Sequence, residues 1–249
     1  MAQLALEEAR TRVLARPRNL EFLLRRRTAF LRKHLRKDDR VLEVGAGLGF
    51  VELYLDGVRL TATDVHQGPW LHTAADAMQL PFRAQAFDAV VCLNVLHHLS
   101  HPREGIREMI RVLRPGGLLL VTEPHASVVM RMALRFTGHE YVDPRVDPFG
   151  SASCQTAGDP RVNGNNAVGD LLFTNRDRFQ RAFPQLRVEA YRLVECLAFL
   201  NSGGVGFEAP CIPLPQIALE WTGALDDWLV RFPALFPLCH EVVLRKAVA

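Results

Sequence analysis

Short hydrophobic runs recur through the first half of the chain, separated by segments of mixed polarity. Such runs lie at residues 41–44, 59–63, 87–93 and 118–121, and a weaker one lies at 71–75. Runs of this length and composition are typical of strands that are buried on both faces of a parallel sheet. The pattern therefore predicts five parallel strands in this half of the chain.

Segments with the period of a helix lie between these runs. After Pro102, a residue suited to the first turn of a helix, apolar side chains recur every three or four residues up to Leu113. Residues 114–117 then interrupt the pattern with a proline and two glycines. Strands that alternate with helices in this way predict a doubly wound α/β sheet with helices on both faces.

The second half of the chain has a different pattern. Residues 126–136 predict a helix, whereas residues 143–170 are rich in Gly, Asn, Asp, Pro and Ser and predict a long loop. Two late strands are predicted at 186–193 and 241–245. Between them, one apolar stripe has helical spacing and consists of Ile217, Trp221, Leu225, Trp228 and Leu229.

The composition is that of a folded globular protein. The chain has 249 residues, of which 49% are hydrophobic and 23% charged, so a disordered chain is excluded. No apolar run approaches the roughly 18 residues of a membrane-spanning helix, and the N-terminus lacks an apolar signal core. Five cysteines without a C-x-x-C pair favour a reducing compartment. We therefore expect a cytoplasmic protein.

Positive charge is concentrated near the N-terminus. Residues 1–40 contain twelve Lys/Arg and five Asp/Glu, a net charge of +7, so the remainder carries −4. Residues 20–35 combine a leucine stripe at helical spacing with a basic opposite face. This face is either a solvated helix surface or a patch for an anionic substrate, a nucleic acid or a membrane. Nucleic acid is not favoured, because no aromatic side chain on the basic face is available to stack on a base.

A glycine-rich turn follows the first predicted strand. Gly45, Gly47 and Gly49 have G-x-G-x-G spacing, and Phe50 stands where a dinucleotide fingerprint has glycine or alanine. Asp64 and Asp76 end the second and third predicted strands. In a doubly wound sheet, ligands bind outside the carboxyl ends of the strands, where these carboxylates could accept hydrogen bonds from a ribose and from an adenine amine.

Together these blocks resemble the class I S-adenosylmethionine-dependent methyltransferases. The resemblance covers about residues 38–125 and its motifs are specific as an ordered set. The matching blocks are residues 41–49, 62–65, 76–82, 87–99 and 111–117.

The resemblance implies a Rossmann-like sheet of seven strands with the last strand antiparallel, and S-adenosylmethionine as cofactor with S-adenosylhomocysteine as product. It implies that the glycine turn contacts the methionine part, that Asp64 holds the ribose, and that the backbone of Asn94 lines the methionine end. The cofactor-binding set expected from it is Glu43, Gly45, Ala46, Gly47, Asp64, Val65, Asp76, Ala77, Met78 and Asn94.

This resemblance divides the chain into four segments. Residues 1–38 form a basic helical segment, and residues 39–125 form the cofactor-binding core. Residues 126–185 form a helical lid insertion that binds the acceptor. Residues 186–249 contain the late strands and a second lid segment at about 202–238.

Two histidines follow the fourth strand, near the expected position of the transferred methyl group. In some relatives that methylate hydroxyls, a histidine of such a pair is the general base, so His97 is the first candidate and His98 the second. Glu123 and His125 follow the fifth strand and are expected to orient the base or line the pocket. Cysteines and histidines show no metal-ligand spacing, so no metal is predicted.

We therefore expect methyl transfer to a small molecule, at a hydroxyl oxygen of an apolar, aryl, lipid-like or sugar-containing metabolite of secondary metabolism. The alternatives are N- or C-methylation of a small or carrier-linked molecule, and a non-catalytic S-adenosylmethionine-binding regulatory module. The sequence leaves open a homodimer and peripheral membrane contact through the basic helix. It also leaves open whether the lid aromatics form an acceptor pocket, a core or a dimer face; these are Phe173, Phe179, Phe183, Phe199, Trp221, Trp228, Phe232 and Phe236.

Overall fold

The computed structural model describes residues 2–138, 140–156, 163–205 and 208–248, with side chains from residue 7 onward. His139 and residues 157–162 of the predicted lid, and residues 206–207 of the second lid segment, lie outside the described residues.

The described residues form seven strands and nine α-helices. The strands are β1 (Arg40–Val44), β2 (Arg59–Asp64), β3 (Thr73–Ala74), β4 (Phe87–Leu93), β5 (Leu113–Pro124), β6 (Leu186–Val194) and β7 (Cys239–Lys246). The helices are α1 (Ala2–Leu14), α2 (Arg18–His34), α3 (Phe50–Tyr54), α4 (Pro102–Val112), α5 (Val128–Thr137), α6 (Ala167–Phe173), α7 (Arg176–Ala182), α8 (Leu197–Leu200) and α9 (Gln216–Leu229).

All seven strands belong to one sheet, in the order β3-β2-β1-β4-β5-β7-β6. Strands β1 to β5 are parallel, and β7 lies antiparallel between β5 and β6. This arrangement confirms the predicted seven-stranded α/β sheet with its last strand antiparallel. The carboxyl ends of β1, β2 and β4 meet at one edge, so their last residues lie close together.

Alternating strand residues build two cores, one on each face of the sheet. On one face, Leu42 and Val90 pack with side chains from α4, α6 and α7. On the other face, Val41 and Val91 pack with side chains from α1, α2 and α3. Helices therefore cover both faces of the sheet, as predicted. Three of the lid aromatics, Phe173, Phe179 and Phe183, belong to the first of these two cores.

The connection between β2 and β3 departs from the doubly wound pattern. Residues 65–72, all described, contain no helix, and β3 has only two residues. A crossover between parallel strands usually needs a dozen or more residues to accommodate a helix. The short connection therefore leaves this edge of the sheet covered by a loop and by the N-terminal helix α1.

Helix α9 does not bury its aromatic stripe. Its buried residues are Leu219, Gly223, Asp226 and Leu229. Trp221 remains 72% exposed on the other side of the helix. Ile217, Leu225 and Trp228 are exposed with it. The periodic apolar stripe is thus a surface feature, apart from Leu229, and not the core of the lid.

The three consecutive arginines of α2 have different surroundings. Arg25 pairs with Glu21 on the same helix, and Arg26 pairs with Asp227 of α9. Arg27 is buried and donates two hydrogen bonds, of 2.8 and 2.7 Å, to the buried carboxylate of Glu195. The basic face of α2 is therefore partly an internal ion-pair surface that joins this helix to the residue after β6.

We expect Arg27→Met to destabilise the fold by about 3–5 kcal/mol, because it leaves the Glu195 carboxylate buried without a partner. Arg25→Met is the matched control: its ion pair is solvent-exposed, and we expect a loss of about 1 kcal/mol or less. Urea unfolding at pH 7 measures both values. Equal losses in the two variants would contradict the assignment of Arg27 to a buried tether.

Candidate active site

The turn after β1 has a backbone that requires glycine. Gly45, Gly47 and Gly49 have φ values of +70°, +50° and +62°. A Cβ atom at Gly45 would lie 2.4 Å from Cγ2 of Val95, the second residue after β4. Left-handed backbone disfavours a side chain at all three positions, and the close contact excludes one at Gly45, so the turn presents bare backbone at the carboxyl edge of the sheet.

Asp64 joins this turn to the end of β2. Its Oδ2 accepts a 2.8 Å hydrogen bond from the backbone N–H of Gly47. Its Oδ1 accepts a 2.9 Å hydrogen bond from the backbone N–H of His66 and lies 3.0 Å from Nδ1 of the same residue. The next residue, Val65, is exposed. A carboxylate therefore lies at the mouth of the glycine turn, next to an apolar side chain.

Glu43 is the last acidic residue of β1 and is almost fully buried. Its Oε2 atom has no hydrogen-bond partner within the part of the chain that the structure describes. Burial, and to a smaller extent the charges of Asp64 and Glu52, raise the pKa of Glu43 to about 8. Such a buried carboxyl group is stabilised by a cation, since an opposite charge favours its ionised form.

The residues after β3 form a tight turn beside Asp64. Asp76 is exposed, and its Oδ1 accepts a 2.8 Å hydrogen bond from the N–H of Met78. Ala77 is buried against the core. The backbone N–H of Ala75 donates to the carbonyl of Asp64. The predicted ribose and adenine residues are therefore neighbours at the sheet edge.

Asn94 ends β4 in a left-handed conformation, with φ of +56°. Its N–H donates a 2.8 Å hydrogen bond to the carbonyl of Thr122 in β5. Left-handed backbone is uncommon outside glycine but is tolerated by asparagine. The chain turns sharply here, toward the segment that contains the two histidines.

The side chain of Glu123 holds that segment in place through hydrogen bonds. It is fully buried near the end of β5 and accepts backbone hydrogen bonds from Val95, Leu96 and His97 at 2.8, 2.6 and 3.1 Å. Its Oε2 also lies 2.8 Å from Nδ1 of His97. One carboxylate thus fixes both the backbone after β4 and the orientation of the His97 ring.

The other side of the His97 ring faces a residue that the sequence did not indicate. Nε2 of His97 and Nε2 of His98 each lie 3.4 Å from Oε1 of Glu140. Oε2 of Glu140 accepts a 2.8 Å hydrogen bond from Asn166. We call His97, His98 and Glu140 the histidine–glutamate cluster. Glu140 lies in the predicted lid, where neither a motif nor a periodic pattern marks it.

Charge in this cluster bears on the predicted role of His97 as a base. Burial alone would lower the pKa of His97, but Glu123 and Glu140 outweigh this effect and raise it to about 10. Conversely, burial would raise the pKa of Glu140, and His97 and His98 lower it to about 2. With carboxylates beside both ring nitrogens, His97 has no lone pair directed at an acceptor, so action as a base requires Glu140 to move away.

His125 belongs to a separate cluster. Its Nδ1 faces Oδ1 of Asp170, and its Nε2 lies 2.8 Å from the carbonyl of Pro233. The same Asp170 oxygen lies 2.8 Å from Nε2 of His240, whose Nδ1 is 3.0 Å from the Tyr191 hydroxyl. The sequence-predicted catalytic set is thereby split: the structure brings His97, His98 and Glu123 together and directs His125 to Asp170.

The connection between β2 and β3 and helix α1 each contact the glycine turn through a side chain that the sequence did not indicate. Nε1 of Trp70 donates a 2.8 Å hydrogen bond to the carbonyl of Gly47. The guanidinium of Arg10 lies 4.7 Å from the centre of the Trp70 ring and donates to the carbonyl of Leu48. A cavity of about 370 Å³ lies here, lined by Arg10, Glu52, Pro69, Trp70, Leu71 and His72.

Comparison with known proteins agrees with this architecture. Residues 42–121 match the family described as "Methyltransferase domain". The demethylmenaquinone methyltransferase of Corynebacterium glutamicum is 36% identical over 108 residues, which are 39% of this chain and 47% of that protein. The chain therefore spans about half the length of this relative.

One further relative matches over a shorter stretch of sequence, and one solved structure matches at lower sequence identity. The tRNA (carboxymethyluridine(34)-5-O)-methyltransferase of Arabidopsis thaliana is 45% identical over 51 residues, which are 19% of this chain and 13% of that protein. The crystal structure of a SAM-dependent methyltransferase from Archaeoglobus fulgidus superposes with a TM-score of 0.51 at 15% identity, covering 90% of this chain and 93% of that one.

Among the described helices, none has the length and apolar character to cross a membrane. Three observations agree with one another: the seven-stranded sheet with its antiparallel β7, the glycine turn at the edge of this sheet, and the sequence match over residues 42–121. Residues 42–121 of the chain are thus similar to the methyltransferase-domain family, and the fold of the chain is similar to that of a SAM-dependent methyltransferase of known structure.

Proposed function

We propose that this protein transfers the methyl group of S-adenosylmethionine to a small-molecule acceptor at the carboxyl edge of the sheet. The observation that carries the proposal is the convergence of the left-handed glycine turn, Asp64 and Asn94 at that edge. In doubly wound sheets this edge is where ligands bind. The methyltransferase-domain match over residues 42–121 supports the same site.

The residues at this edge fit the cofactor. S-adenosylmethionine is cationic at its sulfur and amino groups, and Glu43 offers a buried carboxylate oxygen without a partner among the described residues. The turn at Gly45 and Gly47 lets a ligand approach the backbone closely. We assign the cofactor to Glu43, Gly45, Ala46, Gly47, Asp64, Val65, Asp76, Ala77, Met78 and Asn94.

Within this assignment, Asp64 has a distinct role. Its Oδ2 already fixes the turn through Gly47, whereas Oδ1 faces the backbone N–H and the ring of His66. Oδ1 is therefore the oxygen that accepts hydrogen bonds from the ribose hydroxyls. When bound, the cofactor supplies an activated methyl group, and the chain has to align that group with the acceptor and exclude water.

We propose that the acceptor atom is a hydroxyl oxygen held at the histidine–glutamate cluster. Glu140 Oε1 is a hydrogen-bond acceptor for such a hydroxyl, and the two histidines of the cluster follow Asn94 by three and four residues. With the cofactor bound, the O–CH₃ bond would form as the S–CH₃ bond breaks and S-adenosylhomocysteine leaves, and Glu140 is the carboxylate in position to accept the proton of the hydroxyl. His97 and Glu123 orient the cluster.

The outer surface near the site favours an apolar acceptor. Exposed apolar side chains lie on α5, on α9 and on the segment after α9, and we call them together the apolar surface. Large patches of this kind mark interaction sites. Its members are Val128, Met132, Phe136, Ile217, Trp221, Leu225, Trp228, Phe232 and Leu235.

This surface begins next to the strand ends. The N–H groups of Val128 and Val129, just after β5, donate to the carbonyls of Ala234 and Leu235. Exposed Arg131, Arg135 and Arg231 border it with positive charge. An apolar face bordered by cations is suited to an anionic lipid surface. We therefore propose a lipid-like acceptor presented at a membrane, in keeping with relatives named demethylmenaquinone methyltransferase.

A non-catalytic cofactor-binding module is the alternative from a different class. It would keep the assigned cofactor residues and lose only the transfer step. N- or C-methylation keeps the enzyme class and changes the acceptor atom. Cofactor binding and methyl transfer must therefore be measured separately.

For cofactor binding, we expect Asp64→Asn to weaken S-adenosylhomocysteine binding about 10- to 100-fold, since a hydrogen bond to a charged group contributes about 1.5–3 kcal/mol. Asp56→Asn changes an exposed aspartate after α3 and serves as the control, with unchanged affinity expected. Isothermal titration calorimetry measures both. Unaltered binding in Asp64→Asn would refute the ribose assignment.

For the transfer step, we expect the purified chain to move labelled methyl from S-adenosylmethionine into the organic-soluble fraction of a lipid extract that contains hydroxylated quinones and phenols. Gly45→Arg is the inactive control, because any side chain there meets Val95, and circular dichroism verifies that the variant is folded. Product analysis by mass spectrometry identifies the methylated atom.

Each outcome of this assay distinguishes one alternative. Label on oxygen supports the proposal, and label on nitrogen or carbon contradicts the hydroxyl assignment alone. Label in protein or nucleic acid contradicts the small-molecule acceptor. Cofactor binding without any label supports the non-catalytic module.

For the apolar surface, we expect the intrinsic tryptophan fluorescence to shift to shorter wavelength with vesicles containing phosphatidylglycerol, because Trp221 and Trp228 enter an apolar medium. Replacing Trp221 by serine should reduce vesicle binding in a sedimentation assay. Val248→Ser, a change of an exposed apolar residue beyond β7 near Gly116, should leave binding unchanged. Equal binding by all three proteins would refute the membrane-facing assignment.

A further inference from the structure

The distances within the histidine–glutamate cluster are unusual for hydrogen bonds. An N–H···O hydrogen bond usually spans about 2.9 Å, and His97 and Glu123 are close to this value at 2.8 Å. Both contacts to Oε1 of Glu140 are longer, at 3.4 Å, and they are equal. Two imidazole nitrogens thus face one carboxylate oxygen at a separation longer than that of the usual N–H···O hydrogen bond.

The same distance is the natural spacing of metal ligands. Nitrogen and oxygen atoms bound to a tetrahedral zinc ion at about 2.0–2.2 Å lie about 3.4 Å from one another. The three ligand atoms of His97, His98 and Glu140 all lie within 4.8 Å of one another. We propose that these three side chains form a binding site for a divalent cation of the zinc type.

The groups behind the proposed ligands support this assignment. A metal-binding histidine usually donates its other ring N–H to a carboxylate, which orients the ring. His97 has such a partner in Glu123, which is held by three backbone N–H groups. The second oxygen of Glu140 is fixed by Asn166. Two of the three ligands are therefore oriented by independent hydrogen bonds.

Charge and shape are consistent with a cation at this position. Glu123 and Glu140 bring two negative charges into a largely buried cluster, and a divalent cation balances them. Two imidazoles with one carboxylate are a donor set suited to zinc. Gly164 lies against the rings, where a Cβ would be 3.0 Å from both Nε2 of His97 and Cε1 of His98, so only a glycine leaves this space open.

The second histidine–carboxylate group differs in geometry. Asp170 lies at hydrogen-bond distances of 2.5 and 2.8 Å from the facing nitrogens of His125 and His240. The other nitrogens of these rings are at hydrogen-bond distance from Pro233 and Tyr191. Hydrogen bonding accounts for all of these contacts, so this group provides a matched control for the proposed site.

A cation bound by three protein ligands has a further position for an oxygen ligand. With the cation bound, Oε1 of Glu140 would be a ligand rather than the proton acceptor, and the further position would hold the acceptor's hydroxyl oxygen and lower its pKa, as a Lewis acid does. This role depends on the proposed function, whereas the cation site does not. A sequence search for paired ligand spacings misses the site because Glu140 follows His98 by 42 residues.

The test uses the full chain without cofactor or acceptor, so that it is independent of methyl transfer. After dialysis against a chelator, the chain is titrated with Zn²⁺ by calorimetry, and with Co²⁺ by visible spectroscopy to report coordination geometry. We expect one Zn²⁺ per chain and the absorption of a four-coordinate Co²⁺ ion. Failure of the wild-type chain to bind Zn²⁺ stoichiometrically would overturn the proposal.

Variants locate the ion. Asn166→Ala should weaken Zn²⁺ binding about 10- to 100-fold, as removal of an orienting partner does, and the ligand changes Glu140→Gln and His98→Asn should weaken it more. Asp170→Asn should leave the stoichiometry at one. Circular dichroism verifies the fold of each variant. Loss of Zn²⁺ in Asp170→Asn, with retention in Glu140→Gln, would assign the ion elsewhere and refute the site.

Discussion

The carboxylate of Glu123 is the interaction on which the site depends. It is fully buried between β5 and the segment after β4, and it accepts hydrogen bonds from three consecutive backbone N–H groups. A buried carboxylate is costly unless its oxygens are satisfied, and these contacts satisfy both. Because the same side chain orients His97, the register of two central strands determines the geometry of the histidine–glutamate cluster.

The glycine turn and the histidine–glutamate cluster are connected through Val95. Val95 packs against the Cα of Gly45, and its N–H donates to Glu123. A displacement of the glycine turn would therefore reach His97 through two residues of backbone. For the proposed methyl transfer, this short path would keep a ligand at the turn and an acceptor at the cluster at a fixed separation, as in-line transfer requires.

Helices α2 and α9 use their marked residues differently: those of α2 are partly buried, and those of α9 are mostly exposed. Arg27, at the basic end of the chain, is used inside the fold, paired with Glu195 beyond β6. Apart from Leu229, the apolar stripe of α9 is left outside, because the other face of the helix packs on the protein through Leu219 and Gly223. Both α2 and α9 show the periodic spacing of a helix in the sequence. This periodicity does not distinguish a helix face that the protein covers from one that it leaves exposed.

The sequence by itself determined the strands, their order along the chain and the residues at their ends, because short apolar runs and glycine turns are local signals. Only the tertiary structure decided which side chains meet. Glu140 reaches His97 and His98 from a loop without periodic pattern, and Asp170 draws His125 away from them. These contacts depend on the path of long connections through space, which residue spacing does not encode.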